Sequence, residues 1–397
     1  MSMPNTIINA QLVHATGIQP GMSVEMADGL ITDLYPTGSK TPAGKVLDAA
    51  NHYLSAGFID IHVHGGGNGD FNDGLLDSFE AALACHMEYG TTALCPTIVA
   101  AQTQELAEAA ATYREIEPRC GTELPSLLGF HLEGPFIAPS QAGALDPRYI
   151  RTPTVAYCRE IIQACGGLLR IWTIAPELED AIPLATTLLF AGIIPSIGHT
   201  DARYEDMERA AHAGFQMATH IYSAMSSFIR VEGRRVPGAI ESTLILDDLV
   251  AEVIADGHHL PKELLKLIVR AKGTDRIVLV TDAMRAAGMP PGEYILGSLR
   301  DGTLVPVDSD VAHTPDGKAF AGSIATADRL VRVMRDQARV PLDEVIKMLT
   351  VNPAKALGIQ NRKGAIAIGM DADLALFDKD IYVKGVWIGG NRTITKF

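Results

Sequence analysis

Residues 57–65 read GFIDIHVHG, which is an apolar strand followed by a His-x-His pair. Side chains two positions apart project from the same side of a strand, so His62 and His64 are expected to face one site. Beyond residue 55, apolar runs of this kind alternate with stretches of helical periodicity. That alternation is typical of βα units and a parallel sheet.

The alternation predicts eight parallel strands. They are Phe58–Val63, Ala93–Thr97, Leu127–Leu132, Leu168–Ile174, Ile193–Ile197, Met217–Thr219, Leu249–Ala255 and Ile277–Val280. Eight strands are the number that a closed barrel requires, although the pattern alone also allows an open doubly wound sheet. We predict an α/β protein built around a (β/α)8 TIM-type barrel.

Both ends of the chain differ in pattern from this middle part. Short apolar runs separated by turn signals occupy residues 6–34, and similar runs occupy residues 372–387. Neither end has enough strands to bury a core alone. We therefore expect residues 1–54 and 360–397 to form one small β-sandwich domain built from both termini, and residues 55–359 to form the barrel.

Metal-binding or acidic residues follow five of the apolar runs. They are His62 with His64, Glu133, His199, His220 and Asp282. The carboxyl ends of barrel strands gather at one face, so these six side chains are expected to converge there. Four neutral imidazoles and two carboxylates suit Zn²⁺ or a similar divalent ion. Such an ion activates a bound water at neutral pH and polarises a carbonyl, which is the chemistry of amide hydrolysis.

Each of these residues also has a structural interpretation. A single histidine at a strand end is more often hydrogen-bonded in the core than bound to a metal, and we expect a structural role for His86, His131 and His212. Asp282 could instead be the N-cap of a helix that starts at Ala283. The five cysteines are the usual rival ligands, and all of them lie outside the strand-end pattern. The agreement of several strand ends favours the metal site.

Composition restricts the classes of partner and compartment. The chain has 397 residues, 47% of them hydrophobic, and a formal net charge of −14. That charge would repel nucleic acid or an anionic membrane. Five cysteines without a CxxC pair favour a reduced, cytoplasmic protein. The first residues lack the pattern of a signal peptide and no apolar stretch is long enough to span a bilayer, so we expect a soluble protein.

Several motifs together resemble those of a known family. Beside GFIDIHVHG, the chain contains HLEGPF at 131–136, GHT at 198–200, ATH at 218–220 and VTDAM at 280–284. The first motif is general to amidohydrolases, whereas HLEGPF with VTDAM resembles the N-acetylglucosamine-6-phosphate deacetylases of the amidohydrolase superfamily. The resemblance covers nearly the whole chain. It implies a (β/α)8 barrel with a β-sandwich built from both termini, and usually a homodimer.

The resemblance also implies roles for the strand-end residues. Glu133, His199 and His220 would hold the principal metal, which is zinc or iron in different members. Some members have lost the His-x-His pair and use one metal. The pair is intact here, so a second metal that shares Glu133 is implied, giving one or two ions per subunit. Asp282 matches the catalytic aspartate, which takes a proton from the attacking water and later delivers it to the departing amine.

The substrate-binding positions match the family less well. The family segment HLFNAM appears here as HIYSAM, with Ser223 in place of Asn, and a sugar-contacting His is replaced by Leu145. The family segment GREPG appears as GRRVPG, so either Arg234 or Arg235 would reach the phosphate in the neighbouring subunit. His259 matches a phosphate- or sugar-contacting His. The positions expected to line the substrate site are Ala144, Leu145, Ser223, Ala224, Arg235, His259, Phe320, Ala321 and Gly322.

These observations predict hydrolysis of the N-acetyl amide of an amino sugar. The favoured substrate is N-acetylglucosamine 6-phosphate, which would yield glucosamine 6-phosphate and acetate. The departures at Leu145 and Ser223 leave open another N-acyl amino sugar, such as a galactosamine isomer, or an N-acyl amino acid. A non-catalytic sugar-phosphate binding protein is the alternative from another class, but binding alone would not require four histidines and two carboxylates at strand ends.

Overall fold

A nearly closed parallel barrel forms the centre of the protein, for which the computed structural model describes residues 5–308, 310–317 and 319–395. Its strands, in the order in which they pair around the barrel, are Phe58–Val63, Thr91–Val99, Phe130–Glu133, Leu169–Ile174, Ile194–Ile197, Met217–Ala218, Val250–Ile254 and Ile277–Val280. The last strand returns to the first, where the amide of Asp282 donates to His62 O over 2.9 Å. The predicted barrel is confirmed, and the open doubly wound alternative is wrong.

The third strand differs from its predicted bounds. The sequence pattern suggested one strand from Leu127 to Leu132, but the structure has a short strand at Ser126–Leu127 and a second at Phe130–Glu133. Gly129 between them has a φ of 96°, a left-handed conformation that interrupts the extended backbone. Glu133 is the last residue of the strand Phe130–Glu133.

The barrel interior is filled by apolar side chains and the helices cover its outside. Ile59, Ile61, Ile171, Val278 and Val280 belong to one buried interior cluster. The α-helices are Leu76–Met87, Thr103–Ile116, Val155–Ala164, Ala181–Phe190, Tyr204–Ala213, Ala239–Ile245, Lys262–Lys272, Ala327–Asp336, Leu342–Leu349 and Val351–Ala356. Their apolar faces bury against the strands.

The two ends of the chain meet in one mixed sheet. In spatial order its strands are Asn391–Thr395, Val383–Ile388, Leu374–Phe377, Tyr53–Ala56, Asn5–His14, Gly17–Ala27 and Leu30–Pro36, with Lys45–Asp48 paired to the first half of Asn5–His14. Ile7, Leu12, Val24, Leu374 and Trp387 lie in the core beneath this sheet. The sheet fits the predicted small sandwich domain, while the exact domain boundaries stay a prediction.

Three hairpins lie outside these two units. They are Gly65–Gly66 with Gly69–Asp70, Ile229–Val231 with Arg234–Val236, and Gly292–Leu296 with Thr303–Val307. In the described part of the chain no helix is both long and apolar enough to cross a membrane. The structure describes all five cysteines, and none of them is in a disulfide.

Candidate active site

The six strand-end residues converge at the carboxyl end of the barrel. His62 lies within its strand, Glu133 ends its strand, and the others follow their strands by one or two residues. His199, His220 and Asp282 have left-handed backbones, with φ of 49°, 31° and 48°. Residues other than glycine rarely adopt this conformation, and it concentrates at functional sites. Here the sharp turn after each strand directs the side chain over the barrel mouth.

The polar atoms of these side chains form two groups that share Glu133. Glu133 Oε1 lies 2.8 Å from His199 Nε2 and 2.9 Å from His220 Nε2. Its other oxygen, Oε2, lies 3.3 Å from His64 Nε2 and 3.8 Å from His62 Nε2. Asp282 Oδ1 is 3.1 Å from His64 Nε2. One carboxylate therefore faces a pair of imidazoles on each side.

The donor set fits one or two divalent cations. The Nε2 atoms of His62 and His64 face each other at 3.2 Å, and two imidazole lone pairs at that distance require a proton or a cation between them. Glu133 with His199 and His220, and Glu133 with His62 and His64, each place three ligand atoms within 4.8 Å of one another. Nitrogen and carboxylate ligands of this kind are the ones that zinc and iron prefer.

The buried imidazoles and carboxylates of the site shift one another's pKa values. Burial opposes ionisation of Asp282, but His62 and His64 outweigh it and lower the pKa of this carboxyl to about 2. Burial likewise opposes protonation of His64, but Asp282 and Glu133 raise the pKa of its imidazole to about 9. The imidazoles of His199 and His220 hold the pKa of Glu133 well below its usual range against burial. Asp282 is therefore ionised at neutral pH and can accept a proton.

A cavity of about 380 Å³ opens above this cluster, within the usual range of about 300–1,000 Å³ for small-molecule sites. Of the residues expected to line the substrate site, those on the cavity wall are Ala144, Leu145, Ser223, Ala224, His259, Phe320 and Gly322. Ala321 is buried completely, and Arg235 lies on the exposed hairpin Ile229–Val236. Among the described residues, no Lys or Arg lines the cavity.

His259 is a cavity residue held by a buried carboxylate outside the metal cluster. Its Nδ1 lies 2.7 Å from Asp256 Oδ2, and Asp256 Oδ1 accepts hydrogen bonds from the amides of His258 and His259. Burial opposes protonation of His259, but Asp256 outweighs it and raises the imidazole pKa. His259 thus presents a fixed ring with a tendency to carry positive charge.

Two of the histidines expected to be structural are hydrogen-bonded in the core. His131 Nδ1 lies 2.9 Å from Ile61 O, and its Nε2 lies 2.7 Å from Thr173 Oγ1. His86 Nε2 lies 2.8 Å from Gly65 O. Burial lowers the pKa of both rings. His212 is an exposed residue in the last turn of its helix, where a structural role stays a prediction.

The alternative role of Asp282 as a helix cap finds no support. Ala283 pairs with Ser323 in an isolated β-bridge, residues 285–288 form a turn, and the next helix in the described chain begins at Ala327. The backbone carbonyl of Asp282 instead accepts a hydrogen bond from the amide of Ser323 over 2.9 Å. The Asp282 side chain has the imidazoles as its neighbours.

Sequence reasoning missed three acidic residues around the site. Glu252 and Asp256 are buried beside His62 and His259, and Asp70 is a buried residue of the cavity wall. An available signal was the position of Glu252 in the middle of the apolar run LVAEVIA, where a charged residue is costly unless it has a partner.

Comparison with known proteins agrees with this geometry. The sequence model of the Amidohydrolase family matches residues 53–393. The N-acetylglucosamine-6-phosphate deacetylase of Bacillus subtilis (strain 168) is 36% identical over 91% of this chain and 89% of its own length. The N-acetylgalactosamine-6-phosphate deacetylase of Escherichia coli O157:H7 is 31% identical over 98% of this chain and 99% of its own.

A solved structure gives the same picture. The crystal structure of N-acetylglucosamine-6-phosphate deacetylase from Pasteurella multocida superposes with a TM-score of 0.90 and 26% identity, and the match covers 98% of this chain and 99% of that one. Fold, strand-end residues and full-length similarity thus agree, and the chain belongs to the amidohydrolase family, within the branch of the N-acetylglucosamine-6-phosphate deacetylases.

Proposed function

We propose that this enzyme hydrolyses the N-acetyl amide of N-acetylglucosamine 6-phosphate to give glucosamine 6-phosphate and acetate. The observation that carries the proposal is the convergence of four imidazoles, Glu133 and Asp282 beneath one cavity of small-molecule size. The choice of substrate follows the relatives that are named N-acetylglucosamine-6-phosphate deacetylases. The cavity alone does not distinguish one amino sugar from another.

The metal centre is part of this proposal. Glu133, His199 and His220 would hold the principal ion, and His62 and His64 with Glu133 would hold a second. The N and O donors favour zinc, with iron as the alternative. A divalent ion in such a site supplies Lewis acidity, which polarises the amide carbonyl and lowers the pKa of water.

Asp282 moves the proton in this reaction. Positive charge beside Asp282 lowers the pKa of its carboxyl, so the carboxylate is ionised at neutral pH and can accept the proton of the attacking water. The same carboxyl then delivers that proton to the amine nitrogen as the C–N bond breaks. Only 8% of Asp282 is exposed, which limits proton exchange with bulk solvent between the two transfers.

The substrate phosphate needs positive charge, and among the described residues of the cavity wall the one basic side chain outside the metal cluster is His259. We assign the missing cation to Arg235 of a second copy of this chain, with Arg234 as the alternative. Both arginines lie on the exposed hairpin of Ile229–Val231 and Arg234–Val236, in which Val231 is 47% exposed, and Phe228 just before it is 56% exposed. An apolar and basic projection of this kind suits insertion into a partner subunit, so the active enzyme is a homodimer.

The absence of disulfides from the five cysteines supports a cytoplasmic location.

A galactosamine isomer is the second candidate substrate. Leu145 and Ser223 stand on the cavity wall where the family has His and Asn, so contacts to the sugar hydroxyls differ from those of the family. One full-length relative is named an N-acetylgalactosamine-6-phosphate deacetylase. The contacts that Leu145 and Ser223 make to the sugar hydroxyls would therefore decide whether the glucosamine or the galactosamine substrate is preferred.

The test is a panel of N-acetylated glucosamine, galactosamine and mannosamine, each with and without a 6-phosphate. Release of free amine and acetate is measured with the metal-replete enzyme and after chelation. We expect the highest kcat/KM for N-acetylglucosamine 6-phosphate and loss of activity on chelation. A preference for the galactosamine epimer would select the second candidate, and no hydrolysis of any N-acetyl hexosamine would refute both.

A further inference from the structure

Glu252 is a carboxylate buried inside the barrel. It lies at the centre of the strand Val250–Ile254, between the buried residues Ala251 and Val253, and it is 0% exposed. Its Oε2 lies 3.1 Å from His62 Nδ1, and His62 is also 0% exposed. Its Oε1 has no hydrogen-bond partner among the described residues. A carboxylate in this position is costly unless a cation balances it.

The contact fixes which nitrogen of His62 carries a proton. A carboxylate only accepts hydrogen bonds, so Nδ1 must be protonated and donate to Glu252. Nε2 is then the nitrogen that faces the metal site, 3.5 Å from Asp282 Oδ1 and 3.2 Å from His64 Nε2. With Nδ1 protonated, the lone pair of the neutral ring is on Nε2 and directed at that site.

The other site histidines lack an equivalent carboxylate. His64 Nδ1 and His220 Nδ1 have no hydrogen-bond partner among the described residues, and His199 Nδ1 lies 2.7 Å from the carbonyl of Gln141. Three buried carboxylates, Glu133, Asp282 and Glu252, carry more negative charge than a single divalent ion neutralises. A second ion beside His62 would balance the charge that Glu252 adds.

We propose that Glu252 is a positioning residue that holds His62 with Nε2 toward the metal site and thereby strengthens cation binding by His62 and His64. It touches neither substrate nor the reacting atoms, and it acts only through His62. The inference rests on the two-ion part of the proposed function. Loss of such a carboxylate behind a metal-bound histidine lowers metal affinity by about 10–100-fold.

The test measures Zn²⁺ binding, without substrate, by competition with a chromophoric chelator on metal-stripped protein. Glu252→Gln keeps the size of the side chain and removes its charge. We expect one of two Zn²⁺ equivalents to bind about 10–100-fold more weakly and the other to be unchanged. In the background of His62→Gln with His64→Asn, adding Glu252→Gln should have no further effect. Asp328→Asn, which neutralises a buried carboxylate paired with Arg332, is the matched control and should retain both ions.

The outcomes separate this inference from the proposed function. If Glu252→Gln binds both ions with unmutated affinity, or if the unmutated protein binds one ion only, the positioning role is overturned even when deacetylation is normal. If one ion is weakened selectively but no N-acetyl sugar is hydrolysed, the positioning role stands and the proposed function fails. Should Glu252→Gln not fold, Glu252→Asp replaces it, because the shorter carboxylate cannot reach His62 Nδ1, and the same selective loss is expected.

Discussion

Asp282 and Asp60 are two buried carboxylates in the same part of the barrel, and their pKa values are shifted in opposite directions. Burial raises the pKa of Asp60 to about 6, against the hydrogen bonds that it accepts from Thr281 and from the amide of His62. The pKa of Asp282 falls to about 2 because the imidazoles of His62 and His64 outweigh burial. At the scale of single residues, charged neighbours therefore keep Asp282 ionised at neutral pH, whereas burial shifts the pKa of Asp60 toward neutrality.

Asp282→Asn tests the proton-transfer role. Asn is nearly the same size as Asp but cannot accept a proton from water, and general acid–base groups contribute about 10²–10⁴-fold to rate. We expect kcat to fall by at least about 10²-fold. Thermal stability should be unchanged, and Glu133, His199 and His220 should retain the metal. Steady-state kinetics, thermal melts and elemental analysis measure the three properties. A variant that keeps more than about a tenth of kcat, a barrier change below ~1.4 kcal/mol, would require another base, with His259 the next candidate.

His199→Ala and His220→Ala test the principal ion. Each change removes a nitrogen that lies within 2.9 Å of Glu133 Oε1, so the principal ion and activity should be lost together while the fold remains. Elemental analysis and circular dichroism give the two readouts. His212→Ala on the exposed end of its helix is the control and should keep the metal. A double variant, His199→Ala with His220→Ala, that binds as much metal as the unmutated protein would contradict the assignment.

At the scale of elements, one buried arginine ties three loops at the cavity rim. Arg285 forms an ion pair of 2.9 Å with Asp73 and donates to the carbonyls of Asn68, Ile295 and Gly297. Every one of these acceptors belongs to a loop or hairpin outside the barrel strands, and Gly297 lines the cavity. The barrel mouth is therefore cross-linked by a charge pair with its hydrogen bonds satisfied, which is the arrangement that offsets burial.

Arg285→Met should destabilise the protein because it leaves Asp73 buried without its cation. Breaking one partner of a buried ion pair costs about 3–5 kcal/mol, and denaturant unfolding measures this loss. KM should also rise, since Gly297 loses its hydrogen bond. Arg300→Met is the control: its ion pair with Glu108 is exposed, and exposed pairs contribute about 0–1 kcal/mol. Equal stability of the two variants would show that Arg285 is not the anchor of the rim.

The strands could be predicted because each is a continuous apolar run, and the site could be predicted because its residues follow those runs. The kink at Gly129 was not visible, because a glycine inside a run gives no indication of its φ. Glu252 was missed for a different reason: its partner His62 lies 190 residues away in the sequence. The pattern of apolar runs predicts where a side chain lies along its strand. Which residue it contacts on another strand depends on how the whole sheet closes into a barrel.

At the scale of the whole molecule, the distribution of charge is the argument for the second subunit that we propose. The chain carries a net charge of −14, and Glu105, Asp146 and Asp301 add carboxylates to the cavity wall. An anionic sugar phosphate would be repelled by these groups unless cations face them. Three arginines, at 230, 234 and 235, lie on the hairpin of Ile229–Val231 and Arg234–Val236, and none of them lines the cavity of their own chain. A two-fold dimer could bring that hairpin to the neighbouring cavity.

Complementation between inactive subunits tests this arrangement. Asp282→Asn removes the proton acceptor and Arg235→Gln removes the cation, so each homodimer should be impaired on the phosphorylated substrate. In a mixed dimer, the subunit with intact Asp282 receives Arg235 from its partner, which makes one working site. Random exchange should therefore restore about a quarter of normal activity, because half of the dimers are mixed and each has one intact site of two. Activity is measured after mixing under dissociating conditions and reassembly, with Arg234→Gln exchanged in parallel to decide between the two arginines. If each arginine acts on its own subunit, mixing leaves activity at the average of the two inactive homodimers, and the inter-subunit assignment is wrong.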